Sequence, residues 1–156
     1  MATAVLPVEL LRPSGALLAA NVVLGRCFDD AAAAIGTDPT TMDLLVRVDQ
    51  AADQRLRVVD LSRQLLLSPS HVSRRVERAV AEGLVERLPD PDDRRASLVA
   101  LTAAGRAQLE AFAPYARRVI DETIGGQLDA VEIEQLVTLL GRIETAATRL
   151  ASGSAQ

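Results

Sequence analysis

Ser70, Arg74 and Arg78 recur at helical spacing, with His71 beside them, inside a stretch that runs from Ser68 to Leu101. Arginine can grip a guanine edge through two parallel hydrogen bonds, and serine can serve a groove edge or a phosphate. On the opposite side of the same turn pattern Val72, Val76, Ala79 and Val80 form an apolar stripe. A short helix with a buried valine face and a serine, arginine and histidine outer face fits the major groove of DNA. Arg74 and Arg78 are the expected base contacts. Ser70, Ser73 and Arg75 are expected to meet phosphates, because the flank of a groove-bound helix faces the backbone. The competing reading is a solvated charged face with local pairs such as Arg74 with Glu77 or Arg78 with Glu82. His71 keeps two open readings, a DNA contact and a solvated helix residue.

Catalysis has little to stand on. His71 is the single histidine, and no cysteine or second histidine stands near it to complete a metal site. There is no G-x-S-x-G and no phosphate-binding loop, so the chain is expected to be no enzyme and to carry no cofactor or metal.

The elements that must hold these residues follow from local signals. Ser68, counted with the DNA-facing groups, also caps the helix, since its hydroxyl can accept from an orphan backbone N–H. Pro69 at the first helical position has no N–H to lose. Gly83 tolerates the left-handed conformation that ends a helix. Beyond it Leu84 to Leu88 and Ser97 to Leu101 read as strands, and Pro89–Asp90–Pro91–Asp92–Asp93 with Arg94 and Arg95 reads as the turn between them. The pattern is a helix followed by a β-wing with arginines at its tip.

At this point the sequence resembles the multiple-antibiotic-resistance-regulator (MarR-like) family of winged-helix transcription factors. The likeness rests on GLVER at Gly83 to Arg87, DPDDRR at Asp90 to Arg95, and Leu101–Thr102 followed by Gly105, and with the flanking helices it covers nearly the whole chain. The resemblance implies that Asp93 orients Arg95 and that Arg95 enters the minor groove, where a narrow A·T-rich tract attracts guanidinium. The lesser alternative leaves Arg94 and Arg95 as ordinary turn charges. Asp90 and Asp92 have no assigned role.

Around this stretch the chain reads as helices. A first helix is expected from Leu10 to Ile35, stopped by Gly36 and Pro39, and a second is expected to be capped by Thr40 or Thr41, with Leu44, Leu45, Val46 and Val48 on its core face. Arg55 to Val58 should be extended and able to add a strand to the wing. Asp60 to Leu66 should form the short helix that precedes the recognition helix, with Leu61 and Leu65 facing it. Thr102 is expected to cap a long helix that ends cleanly at Gly125–Gly126. Asp129 and Glu132 resemble a capping box for a last helix, Val131 to Leu150.

The expected fold is therefore mainly α with a small β-wing, a winged helix-turn-helix with N- and C-terminal dimerisation helices. One domain, 1–156, is expected, with the DNA-binding lobe at 40–101 and the dimerisation helices at 10–36 and 102–151. The terminal helices hold more apolar surface than one small core needs, and the resemblance implies a homodimer.

Composition agrees with a globular chain, 49% hydrophobic and 24% charged. The net charge is −4, which argues against a nonspecific nucleic-acid coat, yet residues 55–95 alone carry +2. All 17 basic residues are arginine. No run is long and apolar enough for a membrane span and no signal peptide is evident, so a cytoplasmic protein without a membrane partner is expected. The single cysteine, Cys27, excludes an intramolecular disulfide, and Asp29 and Asp30 beside it argue against a reactive thiol.

The reading that results is a transcriptional regulator on a pseudo-palindromic operator in double-stranded DNA. Repression, with release by a small-molecule effector, is the form the resemblance implies. The alternatives are a winged-helix module that binds protein without DNA recognition, and an oxidant sensor acting through Cys27.

Overall fold

The computed structural model describes residues 8–93 and 96–153. The elements run α1 (Val8–Ala34), α2 (Pro39–Gln50), β1 (Arg55–Arg57), α3 (Val58–Gln64), α4 (Pro69–Ala81), β2 (Val85–Pro89), β3 (Ser97–Leu101), α5 (Ala103–Ile120) and α6 (Ala130–Gly153). This is the mainly α winged helix-turn-helix that the sequence predicts. The chain divides into two compact units between Ala116 and Arg117.

In the first unit the apolar spacing of three helices closes one core. Leu44, Leu45 and Val48 of α2, Leu61 of α3, and Val72, Val76 and Ala79 of α4 are fully buried. Val85, Val99 and Leu101 close this core from the sheet side. Each such valine or leucine contributes about 1.5–3 kcal/mol on burial, so the stripe on α4 is what docks the helix. Val80 departs from expectation. It is 40% exposed, because it lies roughly 80° round the helix from Val72, at the edge of the buried face. A second cluster joins Ala31 and Ala32 of α1, Met42 of α2 and Phe112 of α5.

The sheet has the order β1-β3-β2, antiparallel throughout, with Arg57 opposite Leu98 and Val85 opposite Leu101. The segment expected to be extended thus does join the wing, but only as far as Arg57. Helix α3 starts at once at Val58 instead of Asp60 and ends at Gln64. Leu66 then closes the turn to α4 with φ +53, a left-handed conformation unusual for leucine.

The cap of α2 is Asp38, not Thr40 or Thr41. With Pro39 at the first helical position the cap must precede it, and Asp38 accepts from the Thr40 backbone N at 2.9 Å while Thr41 is buried. Thr102 does cap α5: its hydroxyl accepts from Gly105 N at 3.1 Å and donates to the Gly83 carbonyl at 2.6 Å. Gly105 is required by close approach, since a Cβ there would collide with the Leu84 carbonyl oxygen.

In the second unit the helix does not break cleanly before the glycines. Residues Asp121–Gly125 form one π-helical turn, closed where Gly126 N donates to the Asp121 carbonyl at 2.6 Å. The expected capping box is formed: Asp129 N donates to Glu132 Oε2 and Glu132 N to Asp129 Oδ1, both at 2.9 Å. No helix among the described residues is long and apolar enough to cross a membrane.

Candidate nucleic-acid interface

The site is built on α4. Ser68 has extended backbone and its Oγ accepts from His71 N at 3.4 Å, so the helix starts where serine and proline say it must. The same hydroxyl lies 3.0 Å from Ser70 Oγ and 3.2 Å from His71 Nδ1, which ties the polar groups of the first turn together. With Nδ1 engaged by the hydroxyl, the outer ring nitrogen of His71 is left to face solvent.

Ser70, His71, Arg74 and Arg78 are exposed, and Ser73 and Arg75 are half-buried on the flanks. The structure therefore brings the expected residues onto one helix, but it separates the two base-reading candidates by their surroundings. Arg74 has no ion-pair or hydrogen-bond partner among the described residues, and the local pair with Glu77 is not formed. Arg78 is held on both sides. Its Nε donates to Glu82 Oε1 at 2.9 Å and its Nη1 lies 3.2 Å from Asp38 Oδ2. The hydrogen bond to Glu82, then its charge and that of Asp38, raise the Arg78 pKa above its ordinary value.

On the wing, Asp93 closes the turn through its backbone, its carbonyl accepting from Ala96 N at 2.9 Å. Arg94 and Arg95 lie outside the described residues, and so does the expected pairing of Asp93 with Arg95. Toward the turn end of the wing Arg87 Nη1 donates to Ser97 Oγ at 2.9 Å.

Three participants escaped the sequence reading. Asp38 doubles as the cap of α2 and the tether of Arg78. Asp90 is buried, at 4% exposure, and its Oδ2 accepts from Arg57 Nε at 2.5 Å while Oδ1 accepts from the backbone N of Asp92 at 2.9 Å and of Asp93 at 3.3 Å. The Arg57 hydrogen bond, followed by that from the Asp92 backbone, holds the Asp90 carboxyl below the usual carboxylate range. An aspartate between two prolines is a turn signal in its own right. Nothing local to it points to Arg57.

The MarR family model matches residues 35–96, from the end of α1 to the start of β3. The chain is a MarR-like winged-helix protein. The multiple antibiotic resistance protein MarR of Escherichia coli is 33% identical over 85 residues, 54% of this chain and 59% of the relative. The HTH-type transcriptional repressor NicR of Pseudomonas putida is 44% identical over 68 residues, 44% of this chain and 42% of the relative. The match thus spans about half the length of these curated relatives. A mutant of E. coli MarR, solved in complex with operator DNA, has a TM-score of 0.72 and 26% identity, covering 90% of this chain and 99% of that one. Cys27, the one cysteine, lies half-buried in α1.

Proposed function

We propose that this MarR-like chain is a sequence-specific DNA-binding transcriptional regulator. It acts as a repressor and binds a pseudo-palindromic operator as a homodimer. The observation that carries the reading is the outer face of α4. Ser70, His71 and Arg74, which has no partner among the described residues, stand exposed on a helix whose other face, Val72, Val76 and Ala79, is fully buried. Rigid docking of that kind gives an arginine the fixed origin that base reading requires. The operator complex of the related MarR protein and the repressor NicR support DNA binding and repression. Release by a small-molecule effector rests on the family likeness alone.

Footprinting on the DNA upstream of the chain's own reading frame tests the class and delivers the site. A discrete protected segment with half-sites about one helical turn apart is expected. Binding should also weaken steeply with salt, because each neutralised phosphate releases counterions. The absence of any protected segment, together with salt-insensitive capture of a protein, would replace this reading with a protein-docking module.

A further inference from the structure

Asp90 is the one buried charged residue among the described residues, its side chain 2% exposed, and it sits in the turn of the wing between Pro89 and Pro91. An acid on a DNA-facing loop opposes binding unless its charge is consumed, and a buried carboxylate is costly unless its lone pairs are filled. Here both conditions are met by geometry. One oxygen accepts from the backbone N–H groups of Asp92 and Asp93 and so folds the turn, while the other accepts from Arg57.

Arg57 has a particular place. It is the last residue of β1 and the cap position of α3, the first helix of the helix-turn-helix. A single carboxylate therefore joins the wing turn to the element that carries the recognition helix. Apart from β2, the only strand among the described residues that holds β3 is the three-residue β1, with Arg57 opposite Leu98 at its end. So short a ladder leaves the wing free to rock unless something pins its far end.

We propose that Asp90 and Arg57 form a latch that sets the position of the wing against the helix-turn-helix, which makes Asp90 a positioning residue for contact between the wing and the minor groove. This inference rests on the DNA-binding reading above. Asp90 touches no DNA; it acts through the backbone of Asp92 and Asp93 and hence on the arginines that follow them in sequence.

The test is a footprint read separately at the major-groove guanines under α4 and at the flanking minor groove under the wing. It uses wild type, Asp90→Asn, Arg57→Ala, Arg57→Lys and the double variant Arg57→Ala/Asp90→Asn. Asp90→Asn keeps the size and the turn-folding acceptor but gives up the charge that holds Arg57. Arg57→Ala alters a partly exposed side chain and serves if the wing variant does not fold.

Either variant should lose the minor-groove protection, keep the major-groove protection at saturating protein, and weaken operator binding by about tenfold or more, the scale of a hydrogen bond to a charged group. Arg57→Lys should restore part of the flank protection, and the double variant should lose little beyond Arg57→Ala alone. Wild-type protection with an unchanged wing flank in both single variants would overturn the latch and leave the DNA-binding reading standing. Equal loss at both grooves in folded variants would overturn it as well, because that is what a general structural role produces. No protection by the wild-type chain would overturn the functional reading and the latch together.

Discussion

Arg74 and Arg78 stand about one turn apart on the same outward side of α4, and the sequence alone treats them as equals. Their surroundings do not. Arg78 must leave two carboxylates to reach a base, whereas Arg74 has no ion-pair partner to leave among the described residues. Arg74→Ala is therefore expected to reduce the preference for operator over random duplex by roughly 1–3 kcal/mol, with a smaller effect on total affinity. Arg78→Ala should change that ratio less. Competition titrations with the two duplexes measure both, and an unchanged ratio for Arg74→Ala would move it to the phosphate-contacting class. The latch residue yields a prediction in a different quantity. Folding lowers the Asp90 pKa, so its contribution to stability is present above the unfolded value near pH ~3.9 and is lost as pH falls through the lower folded value. Below about pH 4, Asp90→Asn should show a shallower loss of stability than wild type in acid denaturation. A wild-type-like acid slope would mean that Asp90 carries no charge-dependent contact. The helix start at Ser68 was legible because a cap is local. The Arg57–Asp90 pair was not, because its members are 33 positions apart and meet only through the register of β1 on β3.

At the level of elements the same division recurs. The capping box at Asp129 and Glu132, the glycine end of α4 and the extension of the wing by β1 all follow from short-range signals and are all found. The sequence alone puts the cap of α2 too late because Pro39 reads as a stop for α1, whereas at a first helical position proline opens the next helix. Leu66 gave no local warning of its left-handed turn. At 89% exposure it loses no packing on truncation, so Leu66→Gly should relieve the Cβ strain and raise stability by roughly 0.5–1 kcal/mol after the added flexibility of the unfolded chain is counted. Thermal unfolding should report a rise of about 2–3 °C, and a fall would show that the leucine side chain itself stabilises the turn. Gly105 predicts the opposite sign. Its missing Cβ lets the start of α5 lie on the Leu84 carbonyl, beside the hydroxyl of Thr102, so Gly105→Ala pushes backbone against backbone. A loss of about 1–3 kcal/mol in denaturant unfolding is expected, and a neutral result would show that α5 can shift without disturbing the wing.

Helix α6 runs from Ala130 to Gly153 and has no buried residue from Ala130 to Ala151, where its burial is described, and Val137, Leu140, Ile143 and Leu150 are 62%, 37%, 51% and 74% exposed. A helix needs tertiary cover for an apolar face of this length, and an uncovered patch of aliphatic side chains marks an association surface. In the proposed homodimer the cover is a second copy, and a two-fold operator then doubles the contacts of α4 and the wing. Ile143→Glu places a carboxylate in that surface, where an unpaired charge cannot be tolerated. Sedimentation should find monomer at concentrations where wild type is dimeric, while circular dichroism keeps its helical signal. Operator affinity should fall by on the order of a hundredfold or more, since the second half-site is no longer delivered at high effective concentration. Binding to an isolated half-site should be unchanged, because Ser70, His71 and Arg74 belong to the other compact unit of the chain. A folded Ile143→Glu protein that remains dimeric and binds the full operator as wild type does would remove this face of α6 from the interface. The apolar surface would then need a different occupant.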